Sequence, residues 1–487
     1  MERPSVEDYF ADWKQREALV QEMIPVIGRL YSQRDVGVFI YGRPIHNRSV
    51  TFIMKSHRYV RQVEKNEMSE FESHPVLLAL AKLDLWHAQI DLGKLTVKYM
   101  EQLQAKGEEA LDVDSFVTQE LAYLDGNKKL PVEKSQDVVL YGFGRIGRLM
   151  ARLLVERTST GETMRLKAVV VRPGEEGDLD KRAGLFTNDS VHGAFQGTLR
   201  VDHKNNCLIA NGNPIKVIYA NNPDEIDYTQ YGISDALVVD NTGKWRDREG
   251  LSLHLKAKGV AKVMLTAPGK GDLKNIVYGI NHNEITPEDQ IITAASCTTN
   301  AIAPVLKVIQ DKYGIVHGHV ETVHAYTNDQ NLIDNYHKGT RRGRSAALNM
   351  VLTETGAAKA VVKVVPELTG KLTGNAVRVP IPNVSMAILM LTLEKETTRE
   401  ELNDFLRQIA LHSDLQMQIS YTNNPDAVSS DFVGSREASI VDSCATIVDG
   451  KSCVLYLWYD NEFGYCCQVA RCVYRMAGVT YQVYPPS

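Results

Sequence analysis

A cysteine among hydroxyl side chains, Ser296-Cys297-Thr298-Thr299-Asn300, stands between an apolar run at Ile291-Ile292 and a helical stretch marked by Ile302, Val305, Leu306 and Ile309. A thiol at a helix start sits where the dipole and the unpaired first-turn N–H groups favour the thiolate, the nucleophilic form. In an apolar setting a lone cysteine is ordinarily packed core; the hydroxyls around Cys297 argue for a nucleophile beside an anion. A strand-like run from Gly318 leads into Thr322-Val323-His324-Ala325-Tyr326-Thr327, and His324 is the candidate base for the thiol proton. Alone, it would read as a buried, satisfied histidine. Thr340-Arg341-Arg342-Gly343-Arg344, Thr355-Gly356-Ala357-Ala358-Lys359 and Arg378-Val379-Pro380 supply guanidinium, hydroxyl and backbone donors. Singly, each is a surface arginine or a turn. With the thiol and the imidazole they describe a pocket for phosphorylated anions.

A different chemistry is written into Gly142-Phe143-Gly144-Arg145-Ile146-Gly147, which follows the apolar run Val138-Val139-Leu140-Tyr141 and opens a helix reaching Glu156. Glycines there permit a tight turn and let backbone N–H groups approach a pyrophosphate at the helix N-terminus; the bland alternative is a turn serving only helix–sheet packing. Such dinucleotide folds carry an acid at the end of the second strand, where this chain has Arg172-Pro173-Gly174. A guanidinium cannot accept from a ribose 2′-hydroxyl but pairs with a 2′-phosphate, so NADP is expected to be tolerated or preferred. The competing reading is an arginine in solvent, with NAD held by the remaining contacts.

The elements that must position these groups divide the chain. Its 487 residues exceed what one core usually supports. From Asp137 onward short β-rich runs alternate with helices (Leu166–Val171, Ala236–Val239), which points to parallel βαβ units. Long strands at 384–393 and 452–458 predict a mixed or antiparallel sheet in a second domain, and a last helix carries Val469, Cys472, Val473 and Met476 on one face. The first ~135 residues read as helical. One helix is expected from a Ser5 cap, with Phe10, Trp13, Val20, Ile24, Ile27 and Tyr31 on its buried face; another starts near Pro75 and runs through Val76, Leu83, Ile90 and Val97. Within this region Arg43, Arg48, Lys55, Arg58 and Arg61 occur with no Asp or Glu between Val36 and Val63, either a solvated face or a docking surface for an unknown acidic partner or anion.

A net charge of −5 argues against bulk attraction to nucleic acid. No apolar run approaches the ~20 residues of a membrane span, and the N-terminus has no secretory core. Seven irregularly spaced cysteines match neither a zinc site nor a disulfide framework, so reduced thiols in the cytoplasm are expected.

The segments Tyr141–Arg148, Ser296–Asn300, Thr322–Ala325, Thr355–Ala360, Gly370–Gly374 and Trp458–Tyr465 together resemble phosphorylating glyceraldehyde-3-phosphate dehydrogenase, in family order over about seven-tenths of the chain. The resemblance implies a Rossmann dinucleotide-binding domain (135–296), an α+β catalytic domain with a mixed or antiparallel sheet (297–461) and a C-terminal helix and tail (462–487) packing on the former. It says nothing about residues 1–134, which their own periodicity makes an all-α extension of unknown role. It implies Cys297 as nucleophile and His324 as its base. Ser296, Thr298, Arg342, Thr355 and Gly356 would hold inorganic phosphate, and Thr327 and Arg378 the phosphate of glyceraldehyde 3-phosphate. Gly142, Gly144, Arg145, Ile146, Gly147, Thr266 and Asn461 would bind NAD or NADP, Asn461 fixing the nicotinamide carboxamide, with Arg172 in place of the usual ribose acid. A homotetramer is implied, through the loop containing Arg342. Erythrose-4-phosphate dehydrogenase, and a regulator or scaffold acting through the extension, are the rival readings.

Overall fold

The apolar run around Val138 becomes the strand Gln136–Tyr141 at the middle of an eight-stranded sheet in the computed structural model, which describes residues 8–64 and 66–486. Its order is Ile291–Thr293, Val260–Leu265, Ala236–Asp240, Gln136–Tyr141, Met164–Val171, Asn213–Tyr219, Cys207–Ala210 and Leu199–Asp202. The first six are parallel and the last two form an antiparallel edge. Chain order reverses beside Gln136–Tyr141: the next strands in sequence lie on one side, the later ones on the other. Such a reversal opens a crevice at the C-terminal strand ends, where open α/β sheets bind ligands. The helices Arg145–Glu156 and Phe463–Met476 contribute to one apolar cluster on this sheet.

A second sheet is mixed, as expected: Val351–Thr353, Leu372–Val379, Ile315–Ala325, Ser385–Leu393, Ser452–Tyr459, Ser439–Asp442 and Ile419–Thr422. Ile315–Ala325 runs parallel to Leu372–Val379 and antiparallel to Ser385–Leu393. Both sheets belong to one unit, 135–158 with 164–478.

The other unit combines 1–134 with 159–163 and 479–487. Helices dominate it (Tyr9–Arg34, Val50–Glu64, Glu70–Lys82, Leu92–Lys106, Val113–Glu120), but it also holds a sheet, so the all-α expectation is corrected. That sheet is ordered Arg43–Pro44, Gly37–Ile40, Ala88–Asp91, Gln482–Tyr484. The long helical row through Leu83, Ile90 and Val97 is two helices with the strand Ala88–Asp91 between them; seven-residue spacing continued by chance across the break. The helix containing Pro75 starts earlier than expected, at a Ser69–Glu72 capping box. The Ser5 cap lies outside the described residues, and Asp8 caps the first helix by accepting from the Ala11 N–H. Phe10 and Trp13 are 72% and 43% exposed, because burial on that helix begins only at Leu19. Of the five basic residues, Arg43 stacks on Tyr59 (3.5 Å to the ring centre), Arg48 lies over Phe52, and Arg61 donates to the Met68 carbonyl. Much of that charge serves the unit's own packing.

The C-terminal tail departs from its expected place on the dinucleotide-binding domain. Gln482–Tyr484 pairs in parallel with Ala88–Asp91. Thr480 N–H donates to the Pro131 carbonyl (2.7 Å), Tyr123 Oη to the Val483 carbonyl (2.6 Å), Tyr481 Oη to Asp35 (3.0 Å) and Tyr484 Oη to Glu120 (3.2 Å). Each bond is worth about 1 kcal/mol net. A chain ending at Gly478 should therefore lose about 4 kcal/mol from this unit, seen as a lower melting temperature and faster tryptic cleavage within 8–134. Unchanged cleavage there would contradict the strand's structural role.

Candidate active site

Three glycines at the crevice do three different jobs. Gly142 has φ +95°, which a side chain resists, and its carbonyl lies where a Cβ on Gly147 would come within 2.1 Å. Gly147 therefore lets the helix Arg145–Glu156 close onto the strand. A Cβ on Gly144 meets nothing within 4 Å, so this backbone faces open space at the helix start. Arg145, Ile146 and Gly147 occupy the first turn, whose N–H groups have no intrahelical acceptor. This cradle fits a pyrophosphate. The Arg145 side chain does not face it freely: its guanidinium forks onto Glu462 (Nε–Oε1 2.6 Å) and reaches Asp189 (3.1 Å), which raises its pKa. Thr266 closes the neighbouring strand end, its hydroxyl donating to the Asp240 carbonyl at 3.1 Å.

Cys297 is the first residue of the helix Cys297–Tyr313, and Ser296 caps it by accepting from the Thr299 N–H at 3.0 Å. Its Sγ lies 3.5 Å from His324 Nε2. His324 and Arg378 are register partners on adjacent parallel strands, so both side chains leave the same sheet face. Arg378 Nη1 is 2.5 Å from His324 Nδ1 and donates to the Ala325 carbonyl at 3.0 Å. A guanidinium only donates, so the short contact calls for a lone pair on Nδ1 and places the ring proton on Nε2, toward the sulfur. Tyr459 Oη bridges Thr298 (3.0 Å) and Thr322 (2.7 Å) behind the thiol. Ser385 Oγ accepts from the Ala325 N–H (3.0 Å) and donates to Asn461 Oδ1 (2.8 Å), tying Asn461 to the histidine strand.

Burial pushes His324 down to about 3, with Arg378 adding to the shift, so the ring is neutral. Burial also pushes the Cys297 thiol up; Arg378 and the Thr298 hydroxyl and N–H oppose this. The helix start alone does not make a thiolate here, because desolvation outweighs it.

The remaining anion-binding candidates divide. Gly356 caps the helix Ala357–Val364 with no side chain, and a Cβ on it would meet nothing within 4 Å. Thr355 Oγ1 accepts from the Ala357 N–H at 3.2 Å. Arg342 is held by Asp329 and by Thr353 Oγ1 (2.9 Å), and Ser296 Oγ is spent on its cap. Thr327 stands in the loop beyond the histidine strand, and Arg172 is exposed just past Met164–Val171. No group of three or more His, Cys, Asp or Glu among the described residues could hold a metal.

Residues 136–248 match the family model for the glyceraldehyde 3-phosphate dehydrogenase NAD binding domain, and 296–461 match its C-terminal domain. A glyceraldehyde-3-phosphate dehydrogenase-like protein of Pseudomonas aeruginosa is 59% identical over 465 residues, 95% of this chain and 100% of that protein. The chain belongs to the glyceraldehyde-3-phosphate dehydrogenase family. The Zymomonas mobilis glyceraldehyde-3-phosphate dehydrogenase is 41% identical over 330 residues, 67% of this chain and 94% of that protein. The chloroplastic A form of Zea mays is 39% identical over 362 residues, 74% and 87% of the two chains. The extension lies outside both family models, whereas the P. aeruginosa match is too long to omit it.

In this family member, the residues not anticipated are those that hold the anticipated ones: Tyr459, Ser385, Asp189 and Glu462. Glu462 and Tyr459 lie within the Trp458–Tyr465 segment, which was the available signal; Ser385 and Asp189 stand in no such segment. Asp189 accepts from the Val191 and His192 N–H groups at 2.9 Å; although burial opposes ionisation, these bonds and Arg145 hold it down to about 2.

Gly144→Ala should leave the melting temperature unchanged yet weaken dinucleotide binding tenfold or more by calorimetry, whereas Gly147→Ala should cost about 3 kcal/mol of stability. Arg378→Gln removes a charge that lowers both His324 and Cys297. The imidazole midpoint by NMR should move up from about 3 toward 6.5, and the midpoint for alkylation of Cys297 should also move to higher pH.

Proposed function

We propose that this oxidoreductase converts glyceraldehyde 3-phosphate and inorganic phosphate reversibly to 1,3-bisphosphoglycerate, with Cys297 as nucleophile and His324 as acid and base. The observation that carries this is the 3.5 Å approach of Sγ to Nε2 with Arg378 against the other ring nitrogen. A substrate phosphate engaging Arg378 would free Nδ1 to donate to the Ala325 carbonyl, 2.7 Å away. The ring proton then sits on Nδ1, and Nε2 gains the lone pair needed to take the thiol proton.

The sulfur attacks the aldehyde carbon as the thiol proton passes to Nε2, which returns it to the new oxyanion. His324 removes that hydroxyl proton again as the tethered carbon is oxidised. A dinucleotide held by the Gly142–Gly147 cradle and Asn461 would supply the hydride acceptor for that oxidation. Inorganic phosphate, received at the Gly356 helix start and by Arg342 once it leaves Asp329, attacks the thioester. The C–S bond breaks, the acyl phosphate departs and the sulfur recovers its proton.

The intact Thr355-Gly356 pair favours phosphate as the acyl acceptor over the water that erythrose-4-phosphate dehydrogenase would use. Large apolar side chains exposed in the Arg342 loop (Leu332, Ile333, Tyr336, Leu348) fit burial between copies in a homotetramer. All seven cysteines are free and no helix among the described residues is long and apolar enough to cross a membrane, which suits a cytoplasmic enzyme of glycolysis or gluconeogenesis.

Cys297→Ala should form no acyl-enzyme with glyceraldehyde 3-phosphate by intact-mass analysis. His324→Asn should slow turnover by about 10²–10⁴-fold while still forming the thioester. Near wild-type rates in either variant would refute the assignment, and turnover independent of inorganic phosphate would favour the rival substrate.

A further inference from the structure

The second strand of the dinucleotide fold, Met164–Val171, ends at the crevice, and the first residue beyond it is Arg172. This end is where a bound dinucleotide presents its adenosine ribose, and the charge found there decides between a 2′-hydroxyl and a 2′-phosphate. A hydroxyl needs an acceptor, and two carboxylates near this strand end, Asp178 and Glu225, are already engaged. Asp178 takes Arg182 Nε at 2.6 Å, packed so close under the turn that a Cβ on Gly174 would come within 2.3 Å of it. Glu225, beyond the neighbouring strand Asn213–Tyr219, closes a capping box with Asn222, accepting its side-chain amide at 2.6 Å. Arg172 stands the other way: it is exposed, and among the described residues no carboxylate pairs with its guanidinium. Beneath it, Arg182, its charge balanced by Asp178, donates from Nη2 to the Arg172 carbonyl at 3.3 Å, which fixes the turn.

We propose that this strand end selects the 2′-phosphorylated dinucleotide, NADP, with Arg172 pairing with the 2′-phosphate and Arg182 as a positioning residue for the turn. The assignment rests on the dehydrogenase reading above and deepens it. The matched family model is described by NAD. In this chain an NAD ribose would meet a guanidinium where it needs an acceptor. A planar donor fork beside a dianion is the favourable alternative.

The test is equilibrium binding to the full chain by calorimetry, with NADP, NAD, and the fragment pair 2′,5′-ADP and 5′-ADP. NADP should bind at least tenfold tighter than NAD, and the fragments should keep the same order without any nicotinamide. Arg172→Gln should erase most of that ratio, Arg172→Asp should invert it, and Arg172→Lys should retain part of it. Because Arg172 is exposed, all three variants should melt with the wild type. Arg182→Gln should weaken both dinucleotides as the turn loosens. NAD binding as tightly as NADP in the wild type, or a ratio unmoved in Arg172→Asp, overturns the proposal and leaves the dehydrogenase reading standing. Failure of the folded wild type to bind either dinucleotide overturns both.

Discussion

One imidazole wedged between a sulfur and a guanidinium sets the terms for the rest of the catalytic half. His324 cannot be charged beside Arg378 without an anion to share that arginine, and it cannot drop its second contact while the guanidinium fills it. The arrangement follows from a register: parallel strands bring His324 and Arg378 level on one face, and the capped start of the Cys297 helix is laid against that face. Tyr459 and Ser385, on the next two strands, fix the thiol's neighbour and the histidine strand's end. Shifting either of the parallel strands by one residue would turn its member of the pair to the opposite face and separate the two.

The dinucleotide half depends on backbone rather than on side-chain chemistry. Gly142, Gly144 and Gly147 are needed for what they lack: a barrier to positive φ, a group filling the cradle, and a group between helix and strand. Arg145 illustrates the opposite case. It sits inside the same six residues but is consumed by Glu462 and Asp189, joining the start of this helix to the segment that precedes the C-terminal helix.

Most of this was readable from local pattern. Buried parallel strands are near-continuous apolar runs, the glycine turn has few alternatives, and a cysteine ringed by hydroxyls is rare in a core. What escaped depends on how the chain is folded back on itself. Asp189 occupying Arg145 from 44 residues away and the desolvation that raises Cys297 are properties of the assembled site. Asp329 and Arg342 are only 13 residues apart, but nothing in their spacing shows that the loop turns one onto the other. Ala88–Asp91 was hidden for another reason: four residues between two helices are too short to show a period of two, and their apolar positions happened to continue the helical row. Ser69–Glu72, by contrast, is a local capping signature legible in the sequence, six residues ahead of Pro75.

The sheet of the first unit borrows its last strand from the opposite end of the chain. Ala88–Asp91 and its neighbour Gly37–Ile40 are synthesised about four hundred residues before Gln482–Tyr484, so the other flank of Ala88–Asp91 has no partner until that strand is made. A bare flank is a template for the wrong chain, and neighbouring nascent copies on one messenger are the nearest candidates. The wait for that partner lengthens with the time taken to make the nearly four hundred residues in between.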